Sequence, residues 1–272
     1  MCYLINPILQ LFIGCIHIIY SSRRGSLLYL CLLLGHYFIV SSCIQSTQLR
    51  MTKCIAIDTS TDRFTLAAMN GGELYEFNQE NCIDHAQDIY RNINNILTDS
   101  RLKLKDLDFV AFGTGPGRFT GLRIAASATQ GISYPYHIPV CSVSSLSTIA
   151  QLASENHSKD KIAVAMDAGR KQIYFGCYQK SKDGLVQPIF PDSLIDVDSF
   201  HFSEANFFGV GRGWKEYTNM KAQCSVKFIE DSEEILPDAK TMIKLAMRDF
   251  KSGKALEAFE ALPNYLRDQI ED

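Results

Sequence analysis

A glycine-rich stretch between a predicted strand and a predicted helix constrains this chain more than any other feature. The apolar residues 107–112 predict a short buried strand, and residues 119–132 predict a helix. Between them lie Gly113, Gly115 and Gly117, with Pro116 fixing one φ angle. Glycine permits positive φ and lets another group approach the bare backbone. The stretch therefore predicts either an anion site at a helix N-terminus or a closely docked backbone segment.

The known phosphate loops do not match this stretch. A dinucleotide-binding loop needs glycine at the position of Arg118, and no Gly-Lys-Ser/Thr run follows the spacing of a P-loop. The helix after the loop is unusually rich in small residues, which let a neighbouring helix or sheet approach closely. Two interpretations stay open: tight packing on the chain's own sheet, or a docking face for another subunit. The small residues are Gly121, Ala125, Ala126, Ser127, Ala128 and Gly131.

Residues 1–50 differ from the rest of the chain in composition. They hold three arginines, no acidic residue and two apolar runs, Ile8–Tyr20 and Leu27–Val40. Each run is shorter than the roughly 20 residues of a membrane-spanning helix. Three interpretations remain: a start codon assigned too early, with Met51 as the true start; an export or anchor signal that ends near Cys43; or an extension without a recognisable role.

The charge and cysteine content of residues 51–272 exclude some classes of protein. This part carries a net charge of −6, with 24 basic against 30 acidic residues, which disfavours a stand-alone nucleic-acid binder. Its five cysteines are odd in number and form no Cys-x-x-Cys pair. Cys54 and Cys177 fall within predicted strands, so we expect buried, reduced thiols. The pattern favours a cytoplasmic protein and neither a disulfide framework nor a zinc site.

The order of predicted elements indicates a mixed α/β protein with two lobes. Residues 51–158 give strand, strand, strand, helix, strand, helix, strand and helix, and form the predicted N-terminal lobe. Residues 159–272 form the predicted C-terminal lobe. Both lobes open with a strand that ends in an aspartate followed by a hairpin, at Asp58 and Asp167. This repetition predicts the two-lobed actin/Hsp70/sugar-kinase-like (ribonuclease H-like) fold.

Several motifs together resemble the bacterial TsaB (YeaZ) family of tRNA threonylcarbamoyladenosine biosynthesis proteins. The strongest is the run from Gly113 to Arg123, and the resemblance extends over residues 53–267. It implies the same two-lobed fold and a non-catalytic role beside the catalytic subunit TsaD, with TsaE as an associated ATPase. The assembly modifies N6 of adenosine 37 in tRNAs that read ANN codons. The supporting segments are Ile57–Thr61, His85–Gln87, Leu104–Asp108, Gln130–Gly131, Val143–Leu146, Met166–Ala168, Gly209–Trp214 and Pro263–Arg267.

The resemblance also implies where partners and ligands bind. Family members pair through the first two helices of the N-terminal lobe, here about residues 84–98 and 119–134. It implies no cofactor for this chain itself, ATP and Mg²⁺ being used by the complex, and contact with tRNA only through the complex. The chain when alone can form a homodimer, and no membrane association is expected. The predicted interface residues are His85, Ile89, Ile93, Arg118, Phe119, Gly121, Leu122, Ala125 and Ala128.

A vestigial nucleotide site is predicted at Asp58, Gly115, Gly117 and Asp167, since kinases of this fold hold magnesium and phosphates at Asp-x-Gly turns. Ser60 replaces glycine in the first of these turns. Related catalytic subunits bind a metal through His-x-x-x-His, but here Ile89 follows His85 at that spacing, so no metal site is predicted. The alternatives are a stand-alone ATP-dependent kinase-like enzyme or metallopeptidase, or an exported lipoprotein of the same fold.

Overall fold

The computed structural model describes residues 52–80, 85–228 and 235–267. The predictions for residues 1–50, and that of a helix cap at Asp84, lie outside these residues. Ten strands and five α-helices are described. The strands are β1 (Lys53–Asp58), β2 (Phe64–Asn70), β3 (Glu73–Gln79), β4 (Phe109–Gly115), β5 (Val140–Ser144), β6 (Lys161–Gly169), β7 (Gln172–Lys180), β8 (Val186–Asp196), β9 (Phe208–Val210) and β10 (Lys227–Phe228). The helices are α1 (His85–Asp99), α2 (Phe119–Ser133), α3 (Ser145–His157), α4 (Gly213–Glu216) and α5 (Ala239–Lys251).

The strands form two sheets with the same topology. The first sheet has the order β3-β2-β1-β4-β5, in which β1, β2 and β3 pair antiparallel and β4 and β5 join in parallel. The second sheet repeats this pattern as β8-β7-β6-β9-β10. Each half therefore begins with a meander of three strands and continues with parallel strands. This duplication is the actin/Hsp70/sugar-kinase-like fold expected from the two Asp-terminated strands.

The central strand β1 is buried on both faces because helices cover the first sheet from both sides. Ile55 and Ile57 face a core shared with α1 and α2. Cys54 and Ala56 face the opposite core, which α3 and α5 share with the second sheet. The two inner helices are therefore enclosed between the sheets, whereas α1 and α2 lie on the outside of the first sheet. This arrangement leaves the far side of α1 and α2 without a covering helix or strand among the described residues.

Two elements of the second half differ from what their sequences indicate. Pro188 and Pro191 are typical of a loop, but they lie in β8, which is an edge strand that pairs with β7 among the described strands. Proline is tolerated there because an edge strand has a free side that donates no ladder hydrogen bond. The sequence indicates a helix over residues 234–250, whereas α5 starts at Ala239, and Asp238 caps it by accepting a hydrogen bond from the Thr241 N–H.

Other predictions for single residues are confirmed. Trp214 is buried, and its indole N–H donates to the Ala163 carbonyl, as expected for a core position. Cys54 and Cys177 are buried, free thiols. Burial raises the pKa of Cys177 to about 12, so the thiol is un-ionised at neutral pH. The boundary between lobes at residues 158 and 159 stays a prediction, and α5, from the second half, packs on the first sheet.

Candidate functional site

The glycines of the loop after β4 let another part of the backbone dock closely. A Cβ atom at Gly117 would lie 2.3 Å from the Ser60 carbonyl oxygen, and one at Gly121 would lie 1.8 Å from the Thr59 carbonyl oxygen. The Arg118 N–H donates to the Ser60 carbonyl at 2.7 Å, and the Thr59 hydroxyl donates to the Gly121 carbonyl at 2.7 Å. The turn after β1 therefore occupies the space beside the N-terminus of α2. Of the two alternatives from the sequence, the docked backbone is the one observed.

Asp58 is buried beneath this junction. Its Oδ1 accepts hydrogen bonds from the Ser60 N–H at 2.8 Å and the Ser60 hydroxyl at 2.7 Å. Its Oδ2 packs against Gly113 and has no hydrogen-bond partner among the described residues. Burial raises the pKa of Asp58 to about 6, although the two hydrogen bonds from Ser60 act in the opposite direction. Asp58 therefore shapes the turn that docks on α2.

The four residues predicted as a vestigial nucleotide site are only partly brought together. Gly117 and Asp167 line one cleft of about 330 Å³, together with Arg118 and Arg212. Asp58 and Gly115 do not line the cleft. Asp58 is buried, and Gly115, with φ +107°, lies beside Leu122. The Asp167 Oδ1 accepts hydrogen bonds from the Gly169 N–H and the Tyr217 hydroxyl, both at 2.8 Å. The cleft thus retains two of the four predicted residues.

A groove between α1 and α2 opens on the outer side of the first sheet. It has a volume of about 340 Å³. Tyr90 from α1 and Phe119 from α2 give the groove exposed aromatic surface, since their side chains are 58% and 49% exposed. The residues that line it are Ile89, Tyr90, Phe119, Thr120, Arg123, Ile124 and Ser127.

The C-terminal segment contacts two of the residues that line this groove. The Phe119 ring stacks against the Tyr265 ring with centroids 5.1 Å apart, and the Arg123 guanidinium lies 3.7 Å from the Phe119 centroid. The Arg123 Nε donates to the Tyr265 hydroxyl at 2.9 Å. Cation–π contact and hydrogen bond together hold an exposed Arg–Phe–Tyr cluster in a fixed shape. An exposed, ordered aromatic–arginine cluster has the composition of a protein-interface hot spot.

The predicted interface residues divide between the two faces of α2. Ala125 and Ala128 are buried against the chain's own sheet, Gly121 against the turn after β1, and Leu122 beside Gly115, so this small-residue face is covered by the molecule itself. Ile93 of α1 is also buried in that core. The tight-packing interpretation of the small residues is therefore the one that the structure shows for this face.

Other predicted interface residues lie at the groove or beside it. Ile89 and Phe119 line the groove, and Arg118 is exposed at the start of α2. His85 is the first residue of α1, and its side chain is not among those described. The interface role of these residues stays a prediction.

Three groove residues that the predicted interface did not include share one face of α2. Thr120, Ile124 and Ser127 recur at steps of three or four, which places them on one side of the helix, and Gly131 continues that side beyond the groove. Ser127 and Gly131 are exposed, whereas Ala125 and Ala128 are not. Because Ser127 and Gly131 have small side chains or none, part of this exposed side of α2 carries little side-chain bulk. Assigning each small residue to a helix face by its position in the 3.6-residue period could have separated the exposed face of α2 from the buried one.

Comparison with known proteins decides the family. The model of the family TsaD, tRNA N6-adenosine threonylcarbamoyltransferase, matches residues 80–269. The tRNA threonylcarbamoyladenosine biosynthesis protein TsaB of Haemophilus influenzae is 31% identical, over 79% of this chain and 94% of the relative. Its namesake in Escherichia coli is 29% identical, over 80% and 96%. This chain belongs to the TsaB (YeaZ) family. The resemblance inferred from the motifs is thus confirmed.

A solved structure of a TsaB-family protein agrees with the fold. YeaZ from Pseudomonas aeruginosa is 32% identical to this chain and superimposes with a TM-score of 0.72, over 79% of this chain and 100% of that protein. Within the described part of the chain, no helix is both long and apolar enough to span a membrane.

Proposed function

We propose that this chain is a non-catalytic scaffold subunit in the N6-threonylcarbamoylation of adenosine 37 in tRNAs that read ANN codons. It acts by dimerising with a TsaD-like catalytic subunit through the groove between α1 and α2. A TsaE-like ATPase joins the assembly, which uses ATP and Mg²⁺ in the cytoplasm. The observation that carries this proposal is the open groove with its fixed Arg123–Phe119–Tyr265 cluster. Membership of the TsaB family supplies the pathway.

The glycine loop favours the scaffold over a kinase-like enzyme. In a phosphate-binding loop the free N–H groups at the helix N-terminus point at the ligand. Here the Arg118 N–H is engaged by the Ser60 carbonyl, and the backbone of residues 59–60 lies against Gly117 and Gly121. A phosphate at that place would have to displace the turn that Asp58 holds. The loop therefore serves the packing of α2, on which the groove depends.

The first experiment blocks the groove with a charged side chain. Ser127 is exposed on the α2 side of the groove, so arginine there can extend into solvent without disturbing the core. Asn156→Arg, at an exposed position of α3, adds the same charge to a different helix and serves as the matched control. We expect Ser127→Arg to weaken co-elution with the catalytic subunit at least tenfold, whereas Asn156→Arg leaves it unchanged. Co-elution of Ser127→Arg at the wild-type level would contradict the proposed face.

The second experiment separates the scaffold from an enzyme that acts alone. Cells depleted of this protein are expected to lose N6-threonylcarbamoyladenosine from tRNA and to recover it with the wild-type chain but not with Ser127→Arg. Calorimetry of the isolated chain with Mg-ATP tests the alternative. Micromolar binding that Asp167→Ala abolishes would favour a kinase-like enzyme using the cleft of Gly117 and Asp167. Homodimers of the free chain, if they use the same groove, will also be disrupted by Ser127→Arg.

A further inference from the structure

Six lysines collect at one end of the second sheet. Lys161 begins β6 and Lys227 begins β10, while Lys180 ends β7, which runs antiparallel to β6. Ile162 and Lys227 both pair with Phe208, so the starts of β6 and β10 lie beside each other across β9. The Lys180 N–H donates to the Asp160 carbonyl at 2.7 Å, which places the end of β7 at the same end of the sheet. We name this surface the lysine edge. Its members are Lys159, Lys161, Lys180, Lys182, Lys221 and Lys227.

The lysine edge is wide compared with a small-molecule site. It crosses the four neighbouring strands β10, β9, β6 and β7. Strands lie about 4.8 Å apart, so the edge is about 15 Å wide at the backbone. Lys182 extends it into the turn between β7 and β8, and Lys221 into the segment before β10. Positive charges spread in a row over this distance suit an extended polyanion better than a single phosphate group.

Aromatic rings hold several of these ammonium groups without neutralising them. The Lys159 Nζ lies 4.4 Å from the centroid of Phe208, and the Lys221 Nζ lies 4.7 Å from that of Phe228. The Lys161 Nζ is 5.4 Å from the Phe207 ring. A ring face attracts a cation through its quadrupole but leaves its net charge in place. The lysines are thus held at the sheet end while remaining positive.

The lysine edge forms no ion pair with a carboxylate of the described residues, although Lys180 lies close enough to Glu155 to act on its charge. None of them places a carboxylate oxygen within 4.0 Å of any of the six ammonium groups, although Asp160, Asp183 and Glu204 belong to the same or adjoining segments. Elsewhere two lysines of α5 are paired, Lys240 with Glu76 at 2.9 Å and Lys244 with Glu155 at 2.6 Å. An acidic chain therefore keeps an unpaired basic row at one place.

The all-lysine composition of the edge favours a nucleic-acid backbone over a protein as its ligand. Protein interfaces are enriched in arginine and aromatic residues and depleted in lysine. Lysine is a hydrated point charge that contacts phosphate oxygens without demanding a fixed geometry, which suits a sugar–phosphate backbone. We propose that the lysine edge binds the phosphate backbone of the tRNA directly. The edge belongs to the second sheet, whereas the groove between α1 and α2 lies on the outer side of the first sheet. This goes beyond the contact through the complex stated above, and the choice of tRNA rests on the proposed function.

The test is an anisotropy titration of the full chain against a labelled, unmodified tRNA transcript at 50 and 200 mM NaCl. Neutralising about four phosphates gives a logarithmic salt slope of about −3.6, that is, about 150-fold weaker binding over this fourfold change in salt. The variant K182Q/K221Q/K227Q changes three exposed lysines of the edge. We expect it to weaken binding at 50 mM NaCl at least tenfold and to reduce the slope to about −1.

The matched control is K103Q/K105Q/K171Q, which removes the same charge from exposed lysines elsewhere. Lys103 and Lys105 lie at the 3₁₀ helix of residues 104–106, and Lys171 lies in the turn at the opposite end of β6 and β7. We expect its affinity to stay within twofold of wild type, with thermal unfolding of both triple variants unchanged. Equal weakening by both triples, absence of binding at 100 µM protein and 50 mM NaCl, or equal competition by polyglutamate would overturn the proposal.

A failure of this inference and a failure of the proposed function give different results. If both hold, K182Q/K221Q/K227Q still co-elutes with the catalytic subunit, and Ser127→Arg loses co-elution while the isolated variant keeps its affinity for tRNA. Loss of co-elution for Ser127→Arg together with no tRNA binding by the wild-type chain would overturn the lysine edge alone. Binding of tRNA that depends on the edge, without co-elution of the wild-type chain, would overturn the groove alone.

Discussion

Replacing Gly121 by alanine tests the docking of the β1–β2 turn on α2. A Cβ at this position would lie 1.8 Å from the Thr59 carbonyl oxygen, whereas real Cβ atoms essentially never approach closer than 3.0 Å. The turn and the helix would therefore separate by at least 1.2 Å, the difference between these distances. A 2.7 Å hydrogen bond lengthened by that amount exceeds hydrogen-bonding distance. The substitution should thus break the bond from the Thr59 hydroxyl to the Gly121 carbonyl and strain that from the Arg118 N–H to the Ser60 carbonyl.

The expected loss of stability follows from these two buried hydrogen bonds. Leaving a buried polar group without its partner costs about 1–3 kcal/mol, so two such losses cost about 2–6 kcal/mol. Alanine restores about 1 kcal/mol through its higher helix propensity. We expect a net decrease in the free energy of unfolding of about 3 kcal/mol, which corresponds to a fall in Tm of about 6–12 °C for a protein of this size. Urea denaturation followed by circular dichroism measures the free energy, and differential scanning calorimetry measures Tm.

Gly131→Ala in the same helix provides the matched control. The nearest atom to a Cβ there is the Tyr90 hydroxyl oxygen at 3.6 Å, an ordinary contact distance. The substitution should therefore stabilise the protein by about 0.5–1 kcal/mol through helix propensity alone. If Gly121→Ala proves as stable as Gly131→Ala, the close docking of residues 59–60 is not what the glycine provides, and the account of the loop is refuted.

Two further predictions concern buried polar groups. Asp58→Asn should stabilise the protein at pH 8 by up to about 3 kcal/mol, because it removes a buried negative charge. The folded-state pKa of Asp58 is about 6, above the ordinary 3.8, so this charge appears in the folded protein as the pH rises through 6. The gain in stability should therefore vanish below about pH 4. Urea denaturation at pH 4, 6 and 8 measures this, and parallel pH profiles of wild type and variant would contradict it. Ser144→Ala should cost about 1–2 kcal/mol because Ser144 caps α3, accepting hydrogen bonds from two N–H groups, and donates to Asp192. Urea denaturation at pH 7 against Ser203→Ala, at an exposed loop position, checks it, and equal stability of the two variants would rule out the cap.

The sequence predicted the first sheet better than the second because its signals are local. β4 lies within three residues of the strand predicted at 107–112, and α2 ends within one residue of its predicted end, because the apolar residues, glycines and proline that indicate them lie within the segments themselves. β8 was missed because its exposed residues and two prolines have the composition of a loop. Its strand conformation comes from pairing with β7, a contact between segments that local pattern does not encode.

The groove shows a second limit of sequence reasoning, which concerns which neighbour a residue meets. A small side chain indicates a close approach, but it does not say whether the chain's own backbone or another molecule comes close. At Gly121 the approaching group is Thr59, 62 residues earlier in the sequence, and at Phe119 it is Tyr265, far later. The first turn of α2 is thus fixed from one side by the β1–β2 turn and from the other by the C-terminal segment. The shape of the groove depends on all three segments, so a change at Thr59 or Tyr265 should alter partner binding even though neither lies in the two helices from which the interface was predicted.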